Sequence, residues 1–375
     1  MSFIPVNEPL LNGNEKKYLC ECIDTGWISA EGPFVQEFEQ KMSETVGRKY
    51  GIAVSNGTAA LEVAVQALGI QKGDEVIMPT FTIISCAMAV TKLGAIPVLV
   101  DSDLSTWNMN VEEIEARITE KTKAIMIVHL YGLPVEVDKV LEIAQKYNLK
   151  VIEDAAEMHG QTYRGKNCGS FGDISIFSFY PNKHVTTGEG GMVVTNDEQL
   201  AERCRCLRNL CFKKDIRYVH EEISGNYRFT NLQAAVGLAQ LERLDEFVEC
   251  KRKMGKYYTD KLQGIEGLTL PASQTDYADN IYWVYGLVLD QKIQTDNRTV
   301  QKMLAEKGIG SRPFFWCIHE QPVYRKMELF LDETYPNAEY LARKGFYIPS
   351  GLAITKEQMD KVVVGIKDVM TQIVI

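Results

Sequence analysis

Apolar and polar positions form a regular pattern along the first half of the chain. Short apolar runs typical of buried strands (IAVS, EVIMP, IPVLVD, AIMIVH and KVIED) alternate with segments of helical spacing such as LEVAVQAL. The stretch VEEIEARI also has a helical spacing, with apolar residues at 111, 114 and 118. This alternation predicts an α/β fold with a mostly parallel sheet and helices on both faces.

The pattern changes in the second half of the chain. A long helical stretch covers about residues 232–261 and becomes more polar towards its end. From about residue 265, a strand (IYWVYGLVL), a helix (RTVQKMLAEKG), a second strand (SRPFF) and two closing helices predict a smaller α+β part. We therefore expect a large domain over residues 1–250, with an N-terminal arm, and a small C-terminal domain over 251–375.

Composition and charge argue against several classes of function. The 375 residues carry a net charge of −9, which disfavours binding to nucleic acid or to an acidic membrane surface. No window approaches the roughly 20 apolar residues of a membrane span, and the start lacks the pattern of a signal peptide. The nine cysteines show no metal-binding spacing, so we expect free thiols, no metal site and a cytoplasmic location.

Three features with chemical potential fall where predicted strands end, the edge at which α/β sheets bind ligands. The turn at residues 55–58 (SNGT) opens a helix, whose free N–H groups and dipole favour an anion. Asp154 ends the strand KVIED, and Lys183 follows the strand IFSF. Pyridoxal 5'-phosphate (PLP) needs this set: a phosphate cradle, a lysine that forms an imine, and a carboxylate that keeps the pyridine nitrogen protonated.

Each feature also has a simpler interpretation. A Gly-Thr helix start is common, a strand-end Asp often caps the next helix, and a loop lysine is usually solvated. The segment GEGG requires nothing more than a tight turn. A Rossmann-type nucleotide site is a weaker alternative, because SNGTAA lacks the G-x-G-x-x-G spacing. The order and context of the three features, rather than any one of them, indicate a PLP site.

A family resemblance adds to this interpretation. The segment EDAAEMHGQTYRGKNCGSFGDISIFSFYPNKHVTTGEGGMVVTND resembles the DegT/DnrJ/EryC1/StrS family of sugar aminotransferases, which are fold-type-I, aspartate-aminotransferase-like PLP enzymes. The likeness covers essentially the whole chain, including TGWISAEGPFVQEFE and GNYRFTNLQAAVGLAQLE. The chain is most similar to members that transfer an amino group from L-glutamate to C4 of GDP-4-keto-6-deoxymannose, which gives GDP-perosamine. Amination at C4 or C3 of a UDP- or dTDP-linked keto-6-deoxy sugar is an alternative, as is a PLP-binding regulator without turnover.

The resemblance implies roles for residues at the cofactor. Lys183 would form the Schiff base with PLP, and its retention next to His184 favours amino transfer over the dehydration performed by relatives with histidine in its place. Asp154 would pair with the pyridine nitrogen, and Glu157 would line the site near the ring. The implied phosphate-binding residues are Gly57, Thr58, Ser178 and, from the neighbouring subunit of a homodimer with shared active sites, Asn226.

The resemblance constrains the sugar-nucleotide side of the site less strongly. His319 matches a histidine near the sugar, although a packed loop histidine is the simpler interpretation. Ile83 stands where relatives place an aromatic residue against the pyridine ring, which isoleucine covers only by dispersion. Loops around 27–33, 211–220 and 311–325 are expected to meet the nucleotide. Their candidate residues are Trp27, Lys213, Lys214, Arg217 and Arg312.

Overall fold

The computed structural model describes residues 3–213, 216 and 218–374. Two candidates for the nucleotide-binding loops, Lys214 and Arg217, lie outside the described residues. The α-helices of the described part are α1 (Glu15–Thr25), α2 (Pro33–Val46), α3 (Gly57–Ala67), α4 (Ile84–Thr91), α5 (Val137–Tyr147), α6 (Glu198–Arg208), α7 (Asn231–Leu241), α8 (Leu244–Leu262), α9 (Asn297–Glu306), α10 (Pro322–Lys326), α11 (Pro336–Lys344) and α12 (Lys356–Ile373). Its strands are β1 (Tyr50–Val54), β2 (Glu75–Pro79), β3 (Ile96–Val100), β4 (Thr122–Val128), β5 (Lys150–Asp154), β6 (Thr162–Tyr163), β7 (Lys166–Asn167), β8 (Ile174–Ser178), β9 (Gly191–Thr195), β10 (Leu268–Thr269), β11 (Tyr285–Leu289), β12 (Arg312–Pro313) and β13 (Gly345–Ile348).

The larger sheet has the strand order β1-β9-β8-β5-β4-β2-β3 within the described ranges. Strand β9 runs antiparallel to both of its neighbours, β1 and β8. The remaining neighbours pair in parallel, from β8 through β5, β4 and β2 to β3. Parallel strands need crossover connections. Helices α4 and α5 lie in the connections that follow β2 and β4, whereas the connection from β5 to β8 contains the short strands β6 and β7. The sheet is therefore mostly parallel, as predicted.

Helices cover both faces of the larger sheet. Successive residues of a strand point to opposite faces. In β4, Ala124, Met126 and Val128 belong to one apolar core, whereas Ile125 and Ile127 belong to the other. Helices α3, α4 and α6 contribute to the first core, and α2, α5 and α7 contribute to the second. The predicted α/β arrangement is confirmed.

The C-terminal part forms a second sheet, which is antiparallel and has the order β10-β11-β13-β12. Residues of α8, α9 and α12 pack against it in a third apolar core. Ile4 pairs with Ile309 and ties the N-terminal segment to this core. This is the smaller α+β part that the sequence predicts. The proposed division at residues 250 and 251 falls inside α8 and stays a prediction.

The helical stretch predicted for residues 232–261 is interrupted in the structure. Helix α7 ends at Leu241 and α8 begins at Leu244. The intervening Glu242 accepts hydrogen bonds from Asn14 and Tyr18, so contacts with the N-terminal segment define the turn. No helix in the described ranges combines the length and apolarity that a bilayer crossing requires.

Three further elements differ from the prediction. Residues 111–118 form two short 3-10 helices instead of an α-helix. Strand β11 begins only at Tyr285, because Tyr282 adopts a left-handed conformation with φ 50° that breaks the extended backbone. The SRPFF segment contributes only Arg312 and Pro313 to a strand, and β13 was not predicted.

Strand order brings the candidate residues to one edge of the larger sheet. At the end of β8, Ser178 pairs with Gly191, which also pairs with Val54 at the end of β1. The start of α3 and the β8–β9 connection, which carries Lys183, therefore meet there. Strand β5 lies on the other side of β8, so Asp154 joins the same edge.

Candidate active site

A cavity of about 600 Å³ opens at the carboxyl ends of β1, β5 and β8. Its volume is within the usual range for small-molecule sites. Six predicted residues line it together: Gly57, Thr58, Asp154, Glu157, Ser178 and Lys183. Aromatic side chains complete the wall: Tyr180, Tyr227, Trp283, Phe315 and Tyr347.

One end of the cavity is the N-terminus of α3. The Asn56 side chain accepts a hydrogen bond from the Ala59 N–H at 2.8 Å and caps the helix. The first N–H groups of a helix lack intrahelical partners and attract anions. Position 57 requires glycine, because a Cβ there would lie 2.8 Å from the Cβ of Ser178. The Thr58 hydroxyl lies 2.9 Å from that of Ser85, so hydroxyls and backbone N–H groups converge in an anion cradle.

Two buried carboxyl groups occupy the segment that begins at the end of β5. Glu157 Oε2 accepts a hydrogen bond from the Tyr131 backbone N–H at 2.6 Å. Burial raises the pKa of Glu157 to about 8, and the nearby Lys183 ammonium opposes this shift. Burial also raises the pKa of Asp154, although its carboxylate accepts hydrogen bonds from the Ala156 N–H and from the Cys86 thiol. A positively charged group that enters the cavity can therefore form an ion pair with a buried carboxylate.

Lys183 lies between these carboxyl groups and an aromatic ring. Its Nζ is 3.7 Å from Glu157 Oε1 and 3.7 Å from the centroid of the Trp283 ring. Burial lowers the pKa of Lys183, and the carboxylates of Glu157 and Asp154 oppose that change. A lowered pKa makes it easier for a lysine to lose its proton and to act as a nucleophile or a base.

Asn226 lies outside this cavity. It lines a separate cleft of about 570 Å³ together with Arg205, Arg208 and Arg228. Its side-chain oxygen accepts a hydrogen bond from Arg228 Nε at 2.8 Å. Within one protomer, Asn226 and Lys183 therefore belong to different concave surfaces.

The structure places His319 inside the fold instead of in the cavity wall. Only 1% of the residue is exposed. Its Nδ1 lies 2.8 Å from the Thr80 hydroxyl, and its Nε2 lies 3.2 Å from the Glu339 carboxylate. Both ring nitrogens have protein partners, so this geometry favours a packing role over the substrate contact expected from the sequence.

Three other substrate candidates also lie outside the cavity lining. Trp27 is about half exposed, and its carbonyl accepts a hydrogen bond from Asn231. Lys213 forms an ion pair with Glu221. Arg312 is exposed on β12, and its Nη1 is 3.2 Å from the Ser311 carbonyl. As placed, none of the three contacts the space around Lys183 within the protomer.

Sequence reasoning singled out Ile83 but missed Trp283 and Tyr347, two aromatic residues of the cavity wall. Ile83 lines the cavity at the start of α4 with 42% of its surface exposed, so its apolar side chain is available to a ligand. Trp283 stood inside a segment interpreted as a strand, and nothing in that pattern distinguished it from core. Tyr347 belongs to the unpredicted strand β13.

A buried trio of side chains, of which His129 also lines the cavity, has the composition of a metal site. Ligand atoms of His129, Glu153 and Cys168 lie within 4.8 Å of one another. His129 Nε2 is already 3.1 Å from Glu153, whose oxygens also accept the N–H groups of Gly169 and Phe171. Protein hydrogen bonds thus satisfy the histidine and the carboxylate without a metal ion.

Comparisons with known proteins identify the family. The sequence profile of the DegT/DnrJ/EryC1/StrS aminotransferase family matches residues 9–367. The chain belongs to this family. The resemblance seen in the sequence is thereby confirmed.

Similar proteins match over nearly their full length. The chain is 44% identical to the GDP-perosamine synthase of Escherichia coli O157:H7, covering 96% of each protein. It is 43% identical to the GDP-perosamine synthase of Caulobacter vibrioides, covering 98% of each. The enzyme of the same name from Vibrio cholerae is 38% identical over 96% of this chain and 97% of its own length.

Solved structures of family aminotransferases share the fold. The S. venezuelae protein DesV, solved in complex with a ketimine intermediate, superposes with a TM-score of 0.91 at 30% identity and covers 99% of both chains. The aminotransferase from Psychrobacter cryohalolentis gives a TM-score of 0.91 at 29% identity over the whole of both chains. These likenesses confirm the predicted fold-type-I aminotransferase architecture. The roles of individual site residues stay predictions.

Proposed function

We propose that this aminotransferase uses PLP to transfer the amino group of L-glutamate to C4 of GDP-4-keto-6-deoxymannose, which yields GDP-perosamine. The observation that carries the proposal is the placement of Lys183. Its amine is buried 3.7 Å from Glu157, in the same cavity as Asp154 and the N-terminus of α3. This arrangement joins an amine, a ring-nitrogen partner and an anion cradle in one small-molecule site.

The cavity residues fit PLP on structural grounds. Residue 57 is glycine, so no side chain fills the space between the start of α3 and Ser178, where a Cβ would collide with Ser178. Asn182, beside Lys183, lines the cavity with a buried side-chain oxygen that has no hydrogen-bond partner among the described residues. Asp154 offers a buried carboxylate for a protonated ring nitrogen. When bound, PLP supplies an aldehyde that takes up the amino group and a pyridine ring that withdraws electrons.

The protein residues then have distinct tasks in the proposed reaction. The start of α3 and the hydroxyls of Thr58 and Ser178 hold the phosphate. With the cofactor bound, Lys183 would take up the proton at Cα of glutamate and would return a proton at C4 of the aminated sugar. Burial lowers the pKa of Lys183, which favours its action as a base. Burial raises the pKa of Glu157, and its carboxyl group lies beside the Lys183 amine, where it can share a proton with that amine.

The choice of sugar nucleotide is supported by the three GDP-perosamine synthases that match at 38–44% identity over almost the whole chain. UDP- and dTDP-linked 4-keto-6-deoxyglucose are the competing acceptors. A site that hydrogen-bonds one base leaves polar groups unpaired when another base enters, which disfavours the wrong substrate.

We expect the purified enzyme with L-glutamate to prefer GDP-4-keto-6-deoxymannose by roughly 100-fold or more in kcat/KM over the UDP- and dTDP-linked sugars. A coupled assay for 2-oxoglutarate across this panel measures the preference. A higher kcat/KM for a UDP or dTDP sugar would overturn the GDP assignment but leave a sugar aminotransferase. No turnover with any acceptor, in a protein that binds PLP, would favour the regulator alternative.

We also propose a homodimer in which each subunit completes the other's site. Asn226 and Arg228 line a cleft apart from the Lys183 cavity, where a second copy can meet them. Large apolar side chains are exposed at Trp27, Ile28 and Ile223. A cytoplasmic location is proposed as well, because all nine cysteines are free thiols.

A mixing experiment tests the shared site. Asn226→Ala and Lys183→Ala are each expected to lose activity as separate homodimers. When they are co-refolded, a hybrid contains one site with both Asn226 and Lys183 intact, so about a quarter of the parental activity should return. If Asn226 serves its own subunit, the mixture stays inactive. Sedimentation of an active monomer would contradict the dimer itself.

A further inference from the structure

Trp283 is in close contact with Lys183, and the proposed function gives this contact no role. It lies just before β11, lines the cavity and is only 4% exposed. The Lys183 Nζ is 3.7 Å from the centroid of its ring. Ammonium groups within about 6 Å of an indole centroid are attracted to the ring, and tryptophan gives the strongest attraction of this kind.

Several contacts hold Trp283 in one place. Its indole Nε1 donates to the Asn182 carbonyl at 2.9 Å, which links the ring to the residue before Lys183. Its own carbonyl accepts a hydrogen bond from buried Lys251 at 2.9 Å. The preceding Tyr282 has φ 50°, and its N–H donates to the Asn280 side chain at 2.6 Å. Bulky residues keep such a strained conformation only where their surroundings enforce it.

Tyr131 connects Trp283 with the other neighbour of the lysine. Its ring is nearly parallel to the indole, with an interplanar angle of 10° and centroids 5.9 Å apart. The Tyr131 backbone N–H donates to Glu157 Oε2 at 2.6 Å. Glu157 Oε1 is in turn the oxygen nearest to Lys183 Nζ, at 3.7 Å. One aromatic pair therefore fixes both the indole face and the carboxyl group that flank the amine.

We propose that Trp283 is a positioning residue that holds the free amine of Lys183 beside Glu157 whenever the amine is not bonded to the cofactor. The proposal rests on the proposed function, since only a lysine that alternates between bonded and free forms needs such a resting place. Without the indole face, the flexible Lys183 side chain would move away from the position in which it can transfer a proton. The indole also offsets part of the cost of burying an ammonium group.

Other charged or titratable groups surround the same amine. Burial lowers the pKa of Lys251 to about 7, and the nearby Lys183 contributes to this shift. Burial also holds the pKa of His159 near 3 and that of His184 well below its ordinary value, so both are neutral. The groups that face Lys183 electrostatically are Asp154, Glu157 and His159 after β5, His184 beside it and Lys251 on α8. A substitution at Trp283 keeps all of these side chains, and the backbone contacts to Glu157 and Lys251 do not use the indole, so a shift in the lysine reports mainly on the indole.

Competitive labelling of the cofactor-free protein tests this role. Trace acetic anhydride is added over a range of pH, and acetylation of Lys183 is measured by peptide mass spectrometry relative to exposed Lys361. In Trp283→Leu, the Lys183 ammonium loses the π face but stays buried. Its pKa is expected to fall by about one unit, which corresponds to a typical buried cation–π contact. An unchanged or raised pKa in the folded variant would overturn the proposal.

Two further variants sharpen the result. Trp283→Phe keeps a smaller π face, so a smaller downward shift in the pKa of Lys183 is expected. If the leucine variant does not fold, an unchanged pKa of Lys183 in the phenylalanine variant overturns the proposal. Trp316→Leu makes the same change at a tryptophan outside the cavity lining and should leave Lys183 unaltered. Because labelling needs neither cofactor nor sugar, its failure would leave the aminotransferase assay untouched. A failed assay would conversely leave the labelling result in place.

Discussion

Lys183→Ala is expected to abolish transamination, with a fall in kcat of at least about 10⁴-fold, the upper range for removal of a positioned base. The substitution removes both the amine that binds the cofactor and the group that moves the proton. The coupled 2-oxoglutarate assay measures the loss. Turnover near the parental rate would refute the assignment of Lys183.

The same variant should keep the fold. Burial lowers the pKa of Lys183 in the folded protein, so folding disfavours its protonated form at neutral pH and the residue costs stability there. The melting temperature of Lys183→Ala should therefore equal or exceed that of the parent. Lys183→Arg is the matched control: it keeps a cation beside Glu157 but cannot lose its proton in this pH range, so it should fold and stay inactive.

Much of the larger sheet could be predicted because its strands are buried on both faces. Such strands appear in the sequence as short apolar runs, and the helices between them carry their own periodicity. Asp154 and Lys183 could be located for the same reason. Each follows a readable strand, and the carboxyl ends of neighbouring parallel strands meet at one edge.

Other parts of the structure depend on contacts that local sequence does not encode. The break between α7 and α8 has no Gly or Pro. There the Glu242 carboxylate accepts hydrogen bonds from Asn14 and Tyr18, which are more than 220 positions away in the sequence. Tyr282, just before Trp283, leaves the extended conformation and so helps to bring Trp283 to Lys183. A left-handed backbone is uncommon for tyrosine, so the local sequence does not predict it. Long-range packing, not propensity, decides both features.

The substrate side of the site was the least predictable. His319 could be matched by position. However, its ring nitrogens contact Thr80 and Glu339, and the local sequence around His319 does not predict these contacts or its burial. Asn226 shows the opposite case. Its place outside the Lys183 cavity is compatible with a role at a neighbouring subunit, and the mixing experiment tests that role.

Asp154→Asn is expected to retain PLP but to lose about 10- to 100-fold in kcat. The asparagine side chain has the same shape, so the cavity and the contact from the Ala156 N–H should survive. A neutral amide cannot balance a protonated ring nitrogen, and a hydrogen bond to a charged group is worth about 1.5–3 kcal/mol, which is about one to two factors of ten in rate. The phosphate cradle at α3 does not involve Asp154, which is why binding should outlast activity. Absorbance of the purified variant measures bound PLP, and the glutamate assay measures kcat.

The control for this prediction is Asp276→Asn, the same change at a largely exposed carboxylate whose partner is Arg164. It should leave kcat within about twofold, because surface ion pairs contribute little.

A second expectation concerns the cofactor-free protein. The Asp154 carboxylate opposes the burial that lowers the pKa of Lys183, so its removal should move the pKa of Lys183 further down in the labelling experiment. Full activity in Asp154→Asn would show that another group protonates the ring. Loss of activity without a change in the labelling of Lys183 would confine Asp154 to the ring nitrogen and separate its role from that of Glu157.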